Sequence, residues 1–144
     1  MQPDHDQQGY DRKELARYRL ETALEDLKDA ELLLANESYK SANNRAYYAI
    51  FHAVSAIHAL DGKSYKRHKD ALGNFNREYV KEGIFDVSFG RKIAEAEKVR
   101  NASDYDDFYM VRKEDVVNQI AVAKEVVEAI DSYCSRRMET DVSD

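Results

Sequence analysis

The sequence predicts an all-α protein, an up-and-down bundle of four to five helices in one domain. Three observations predict it. The 144-residue chain holds one proline and five glycines, too few for the many turns of a sandwich or barrel. Apolar residues recur at helical spacing along most of the chain, and no segment shows the period-two alternation of a half-buried strand. Hydrophobic residues make up 43% of the total, enough to bury one core at this length.

The helices follow in order. Residues 1–10 read as a flexible polar tail. Asp11 and Glu14 form a capping box. Leu15, Tyr18, Ala23, Leu27, Ala30 and Leu34 then mark the apolar stripe of a first helix that ends near Ala35, with Asn36 as its stop. A second helix spans Tyr39 to Leu60 and is closed by Asp61-Gly62. After the basic loop GKSYKRH comes a third, about Lys69 to Lys81, with Leu72, Phe75, Tyr79 and Val80 inward and Gly83 beyond its end. Asp86 caps a fourth, about Val87 to Ser103, carrying Phe89, Ile93 and Ala96 on one stripe. The acidic and aromatic connection DYDDFYM leads to a fifth, about Lys113 to Arg136, with Val116, Val117, Ile120, Ala123, Val127, Ile130 and Cys134 inward. The domain is thus 11–136, and 137–144 is an acidic tail.

Composition narrows the function classes. A net charge of −6 argues against a surface that binds nucleic acid everywhere, while leaving room for a local basic patch. One cysteine, Cys134, has no partner for an internal disulfide, which fits a reducing, cytoplasmic setting. It sits in an apolar pattern and reads as a small buried hydrophobe. The N-terminal residues MQPDHDQQGY contain no apolar signal segment. Residues 41–60 are long enough to span a membrane, but Asn43, Asn44, Arg45, His52 and His58 interrupt them. A soluble protein is expected. The four histidines lack zinc spacing, and there is no CxxC and no glycine-rich phosphate loop. No metal and no cofactor are expected.

Three constellations could carry chemistry. In the second helix Ala42, Ala46, Ala49, Ala53, Ile57 and Leu60 share one face, and Ser41, Asn44, Arg45, Tyr48, His52 and Ser55 share another. Polar groups brought to an interior must be satisfied, so this stripe is either a network that orients helices or a binding site. Asn44, Tyr48 and His52 are successive one-turn neighbours. The second constellation is VRNASDYDDFY, residues 99–109, where Arg100 continues the stripe of Phe89, Ile93 and Ala96. Glu97 and Asp104 are in register to pair with it. A planar guanidinium there is either a structural ion pair or a clamp for phosphate oxygens. The third is the basic cluster Lys63, Lys66, Arg67, His68 and Lys69, either solvated loop charge or a phosphate contact.

The blocks NRAYYAIFHAVSAI, KRHKDALGNF, REYVKEGIF and VRNASDY, in this order, resemble the HEPN domain over about residues 12–135. The similarity is to the branch of small UPF0332-type proteins. The resemblance implies an all-α bundle, a homodimer, and a nucleotidyltransferase partner in a toxin–antitoxin-like setting. It also implies, in active members, a metal-independent ribonuclease with an R-x4-6-H motif facing its copy across the dimer. On that pattern Arg100 would stabilise the scissile phosphate and Asn101 is the polar residue after it. Tyr105 stands where the first allowed histidine would be, followed by Asp106 and Asp107, and no histidine follows Arg100. A general base works best with a pKa near the working pH. A tyrosine near 10 is a poor substitute. The resemblance therefore implies a homodimeric partner of a nucleotidyltransferase that binds RNA or nucleotide around Arg100. Asn44, Arg45, Tyr48, His52, His68 and Asp104 are candidate binding residues. The alternative is a ribonuclease toxin with an altered base, through Tyr105 or with His52 or His68 folded into the site. In related systems the partner modifies a tyrosine near the motif, for which Tyr105 and Tyr109 are the candidates.

Overall fold

The computed structural model describes residues 5–142, with side chains described for 8–140. It contains five α-helices and, among the described residues, no strand: α1 His5–Ala35, α2 Tyr39–Leu60, α3 His68–Phe75, α4 Ser88–Tyr105 and α5 Lys113–Val142. Helix α2 lies at the centre, packed along its length on α1 and also on α5, α3 and α4. Small side chains make the α1–α2 seam. Ala16, Ala23 and Ala30 of α1 and Ala42, Ala46, Ala49 and Ala53 of α2 are all fully buried, which lets two helix backbones approach closely. Helix α5 closes the other side with Val116, Ala123, Val126, Val127, Ile130 and Cys134. Burial pushes the Cys134 thiol up to about 12, so it packs as an inert hydrophobe.

The α3–α4 shoulder is held by rings. Phe75 meets Phe85 at 5.5 Å between centroids, Phe85 meets Phe89 at 5.8 Å, and Phe85 meets Tyr133 of α5 at 5.4 Å. Helix α2 ends where the sequence predicts, at Asp61-Gly62. Gly62 has φ 74, and its N–H and that of Lys63 bond back to the carbonyls of Ala59 and His58.

Four expectations change. The first helix is helical from His5, so the described part of the expected tail is helix; residues 1–4 lie outside the described residues. No proline stands within α1, and its polar N-terminal residues continue the helix without a breaker. The buried stripe of α1 is Ala16, Leu20, Ala23, Leu27 and Ala30, and Leu15 and Tyr18 are exposed. The third helix is not continuous: after Phe75 it widens into a π turn over Asn76–Val80 that sends Tyr79 and Val80 inward. Finally, α5 runs to Val142 and buries Met138, so the described part of the expected acidic tail is helix; Val117, expected inward, is exposed.

Candidate functional site

Two successive turns of α2 project Tyr47, Tyr48, Phe51 and His52 toward the shoulder, and the helical spacing of these residues makes them neighbours. His68, the first residue of α3, enters among them. Its ring stacks on Phe51 with 3.8 Å between centroids and meets Tyr48 edge-on at 5.8 Å. The Tyr47 hydroxyl lies 3.2 Å from His68 Nδ1. Burial, with Glu97 nearby, raises the Tyr47 phenol to about 12. It therefore stays protonated and donates to His68 Nδ1, which leaves the proton of the neutral ring on Nε2. Burial, and then the charge of Arg100, lower the His68 pKa below its ordinary value.

Arg100 reaches the same cluster from α4. Its side chain is 16% exposed. Tyr47, Tyr48 and Tyr105 surround the guanidinium, with Cζ 5.2, 5.7 and 5.9 Å from their ring centroids. Nε stands 3.0 Å from Asp104 Oδ2, an ion pair one turn along α4. The Nε–H is buried and not aimed at that oxygen, so the contact is Coulombic rather than a hydrogen bond. One terminal nitrogen donates to the Tyr48 hydroxyl at 3.3 Å and the other to Asn101 Oδ1 at 3.4 Å. A guanidinium carries five N–H donors. One on each terminal nitrogen remains uncommitted, the pair that matches the oxygens of a phosphate.

A carboxylate that the sequence reading passed over organises the other half. Asp26 of α1 is 4% exposed and takes Arg45 Nη1 at 3.1 Å on one oxygen and His52 Nδ1 at 2.6 Å on the other. Arg45 also lies over the Tyr48 ring at 5.0 Å. With Nδ1–H bonded to Asp26, His52 presents Nε2 as an acceptor. Asp26 stands three residues after Ala23 and four before Ala30, on the buried stripe itself. An acid on an apolar stripe was the available signal.

The structure therefore gathers Arg45, Tyr48, His52, His68, Arg100, Asn101 and Asp104 around one cluster. It brings Tyr105 there by its ring only, with 76% of the residue exposed. Asn44 Oδ1 is buried and bonded to none of the described groups. Glu97, the other expected partner of Arg100, forms no ion pair with it; it lines a cleft of about 250 Å³ between α3 and α4. Two of the four cations of the basic loop are paired, Lys63 with Glu78 and Arg67 with Asp70 at 2.9 Å. His68 is the member that joins the cluster. Among the described residues, no helix is long and apolar enough to cross a membrane, and no group of three His, Cys, Asp or Glu side chains could hold a metal ion.

Comparison with known proteins agrees with this architecture. Residues 16–133 match the HEPN domain. The chain is 36% identical over 121 residues to a "UPF0332 protein" of Thermotoga maritima, covering 84% of this chain and 92% of that one. It is 35% identical over 86 residues to "Putative toxin MJ0605" of Methanocaldococcus jannaschii, covering 60% of this chain and 64% of the relative. A second protein of that organism, "Putative toxin MJ0142", is 32% identical over 96 residues, covering 67% of this chain and 65% of the relative. The chain belongs to the HEPN domain family, in its UPF0332-like branch.

Proposed function

We propose that this chain is the HEPN member of a toxin–antitoxin-like pair, a homodimer that binds RNA or nucleotide phosphate through Arg100 and works with a nucleotidyltransferase partner. The observation that carries the reading is the guanidinium itself. It is sheltered by three tyrosine rings, balanced by Asp104, and left with a free N–H on each terminal nitrogen. Sheltering raises the strength of a charge-assisted bond to an incoming phosphate. Two relatives whose names carry the word toxin support the setting.

A second reading, a metal-independent endoribonuclease, is favoured by His52 and His68. The chain has no histidine after Arg100, yet the fold brings two to the Tyr48 ring, at 5.9 and 5.8 Å, on which Arg100 also rests. In this reading Arg100 holds the scissile phosphate. His52 Nε2, oriented by Asp26, takes the 2′-hydroxyl proton as the 2′-oxygen bonds to phosphorus. The bond from phosphorus to the 5′-oxygen breaks and the leaving 5′-oxygen takes a proton from water, while His68 Nε2–H donates a hydrogen bond to the charge developing on the phosphate oxygens. Tyr105 has no part in the proton transfer.

Purified protein incubated with single-stranded RNA in EDTA tests both readings. Cleavage by wild type that is lost in Arg100→Ala and in His52→Gln supports the ribonuclease. Retained RNA binding without cleavage, lost in Arg100→Ala, supports the binding role. Equal binding by wild type and Arg100→Ala overturns both. Co-purification with a co-expressed nucleotidyltransferase tests the partnership.

A further inference from the structure

A cleft of about 380 Å³ opens beside this cluster, between α1, α2 and the loop after α2. Phe51 and His52 form part of its wall, so it is adjacent to the Arg100 site; Arg100 does not line it. Its charge is unusual for this protein. The chain carries 28 acidic residues, and none lines the cleft, whereas Arg19 and Lys63 do. Lys63 is matched by Glu78. Arg19 is not matched. Its Nη1 donates to the Ser55 carbonyl at 3.0 Å, and among the described residues it has no carboxylate partner. Arg45, Arg100 and Arg137 each have one. Burial alone acts on the Arg19 pKa, in the downward direction, with no acidic group near enough to oppose it. A half-buried guanidinium without a counter-ion is an unfilled demand for an anion.

The rest of the wall suits what such an anion would be attached to. Ser55 and Ser64 offer hydroxyls, and Phe51 and Tyr65 offer ring faces. At the base lies His58, 1% exposed, with Nε2 bonded to the Ala71 carbonyl at 2.9 Å and a buried Nδ1 without any partner. The volume falls in the range of small-ligand pockets, roughly 300–1,000 Å³.

We infer that this cleft is a second anion site, distinct from Arg100, which takes a phosphate monoester on Arg19 with its attached sugar and ring against the loop after α2. The phosphate monoester is carried either by a free mononucleotide or by the 5′ end of an RNA strand that runs on toward Arg100. Only the second source rests on the function proposed above.

The test is calorimetric titration of the full chain with 5′-AMP. Saturable binding is expected to persist in Arg100→Ala, which removes the other phosphate site, and within that background to weaken about tenfold or more on adding Arg19→Gln, a loss of about 1.4 kcal/mol. Ser64→Glu, at an exposed rim position, places a carboxylate in the cleft without touching the core and is expected to weaken AMP binding similarly. This variant keeps the test decisive if Arg19→Gln misfolds. No saturable binding by wild type overturns the site, as does wild-type affinity in both variants. Binding lost in Arg100→Ala also overturns it, because the phosphate then sits at Arg100. A 5′-phosphorylated RNA hexamer that binds tighter than its 5′-hydroxyl twin identifies the RNA terminus as the source. Equal hexamer affinities with AMP binding intact identify the free nucleotide. Undiminished affinity of the 5′-hydroxyl hexamer in Arg100→Ala contradicts the proposed function and leaves the cleft standing.

Discussion

Two polar networks built from the same residue types meet α2, one at its C-terminal end and one in its middle, and they differ in what their guanidinium is hydrogen-bonded to. At its C-terminal end Asp61 accepts from Arg137 at 2.7 Å and from the Tyr79 hydroxyl, with Arg137 also reaching Tyr133 at 3.4 Å. Every charge there has its opposite. Hydrogen bonds from Arg137 and Tyr79 hold the Asp61 carboxyl below its usual range, and the Asp61 carboxylate raises Arg137 in turn. This network ties the loop after α2 to the π turn and α5, and the Arg137 charge is spent in a charge-assisted hydrogen bond to the Asp61 carboxylate. In the middle of α2, Asp26 takes Arg45 and His52, and Asp104 faces Arg100 without a hydrogen bond, so the bonds Arg100 makes go only to neutral groups, the Tyr48 hydroxyl and Asn101 Oδ1, and His52 Nε2 remains uncommitted. Composition does not separate a joint from a site; whether the guanidinium is already hydrogen-bonded to an anion does.

That contrast predicts where substitutions act on stability and where on binding. The largest stability effect is expected at the joint. Arg137→Ala leaves Asp61 half-buried without its cation and should cost about 2–3 kcal/mol, lowering the melting temperature by about 6–9 °C at roughly 3 °C per kcal/mol, with little change in RNA binding. A melting temperature within a degree of wild type would remove the joint from the comparison.

Asp26→Asn should cost less, about 1–2 kcal/mol, because an amide still accepts one of the two bonds. Its mark is functional. It removes the group that fixes the His52 ring, so RNA binding or cleavage should fall even where the helix content by circular dichroism is unchanged.

The pH dependence is smaller and has a definite sign. Burial holds His58 and His68 below the ordinary histidine pKa of 6.5. The unfolded chain therefore takes up protons before the folded one as pH falls. Stability is full above about 6.5 and declines as pH drops from there through the lowered folded values. Melts at pH 7.5, 6 and 5 should show the decline, and His58→Gln should flatten it. A rising melting temperature over this range would contradict the burial of both rings. The smallest effect is expected at Arg67→Ala, whose exposed pair with Asp70 should change stability by no more than about 0.5 kcal/mol.

The sequence made much of this legible. Tyr39–Leu60 was readable to the residue because alanine spacing and the Asp61-Gly62 stop agree. The inward placement of Arg100 followed from the Phe89, Ile93 and Ala96 stripe. What stayed hidden came from tertiary geometry. The π turn at 76–80 carries Tyr79, which bonds to Asp61, 18 residues away, and no local period encodes it. His68 was legible as a candidate binding residue, but its contact was not: only the α3 start stacks it on Phe51. Asp26 was overlooked because its partners, Arg45 and His52, are 19 and 26 residues away. Leu15 and Tyr18 misled because apolar residues can lie outside the buried stripe, where alanines do the packing.

The most direct test is the affinity of a short single-stranded RNA for wild type and for Arg100→Ala, measured by fluorescence anisotropy in EDTA, with folding checked by circular dichroism. An open guanidinium in a tyrosine collar predicts a loss of about tenfold or more in the variant, together with a shallower dependence on salt. Equal affinity and an equal salt slope in the two proteins would contradict it and make Arg100, like Arg137, a structural ion pair.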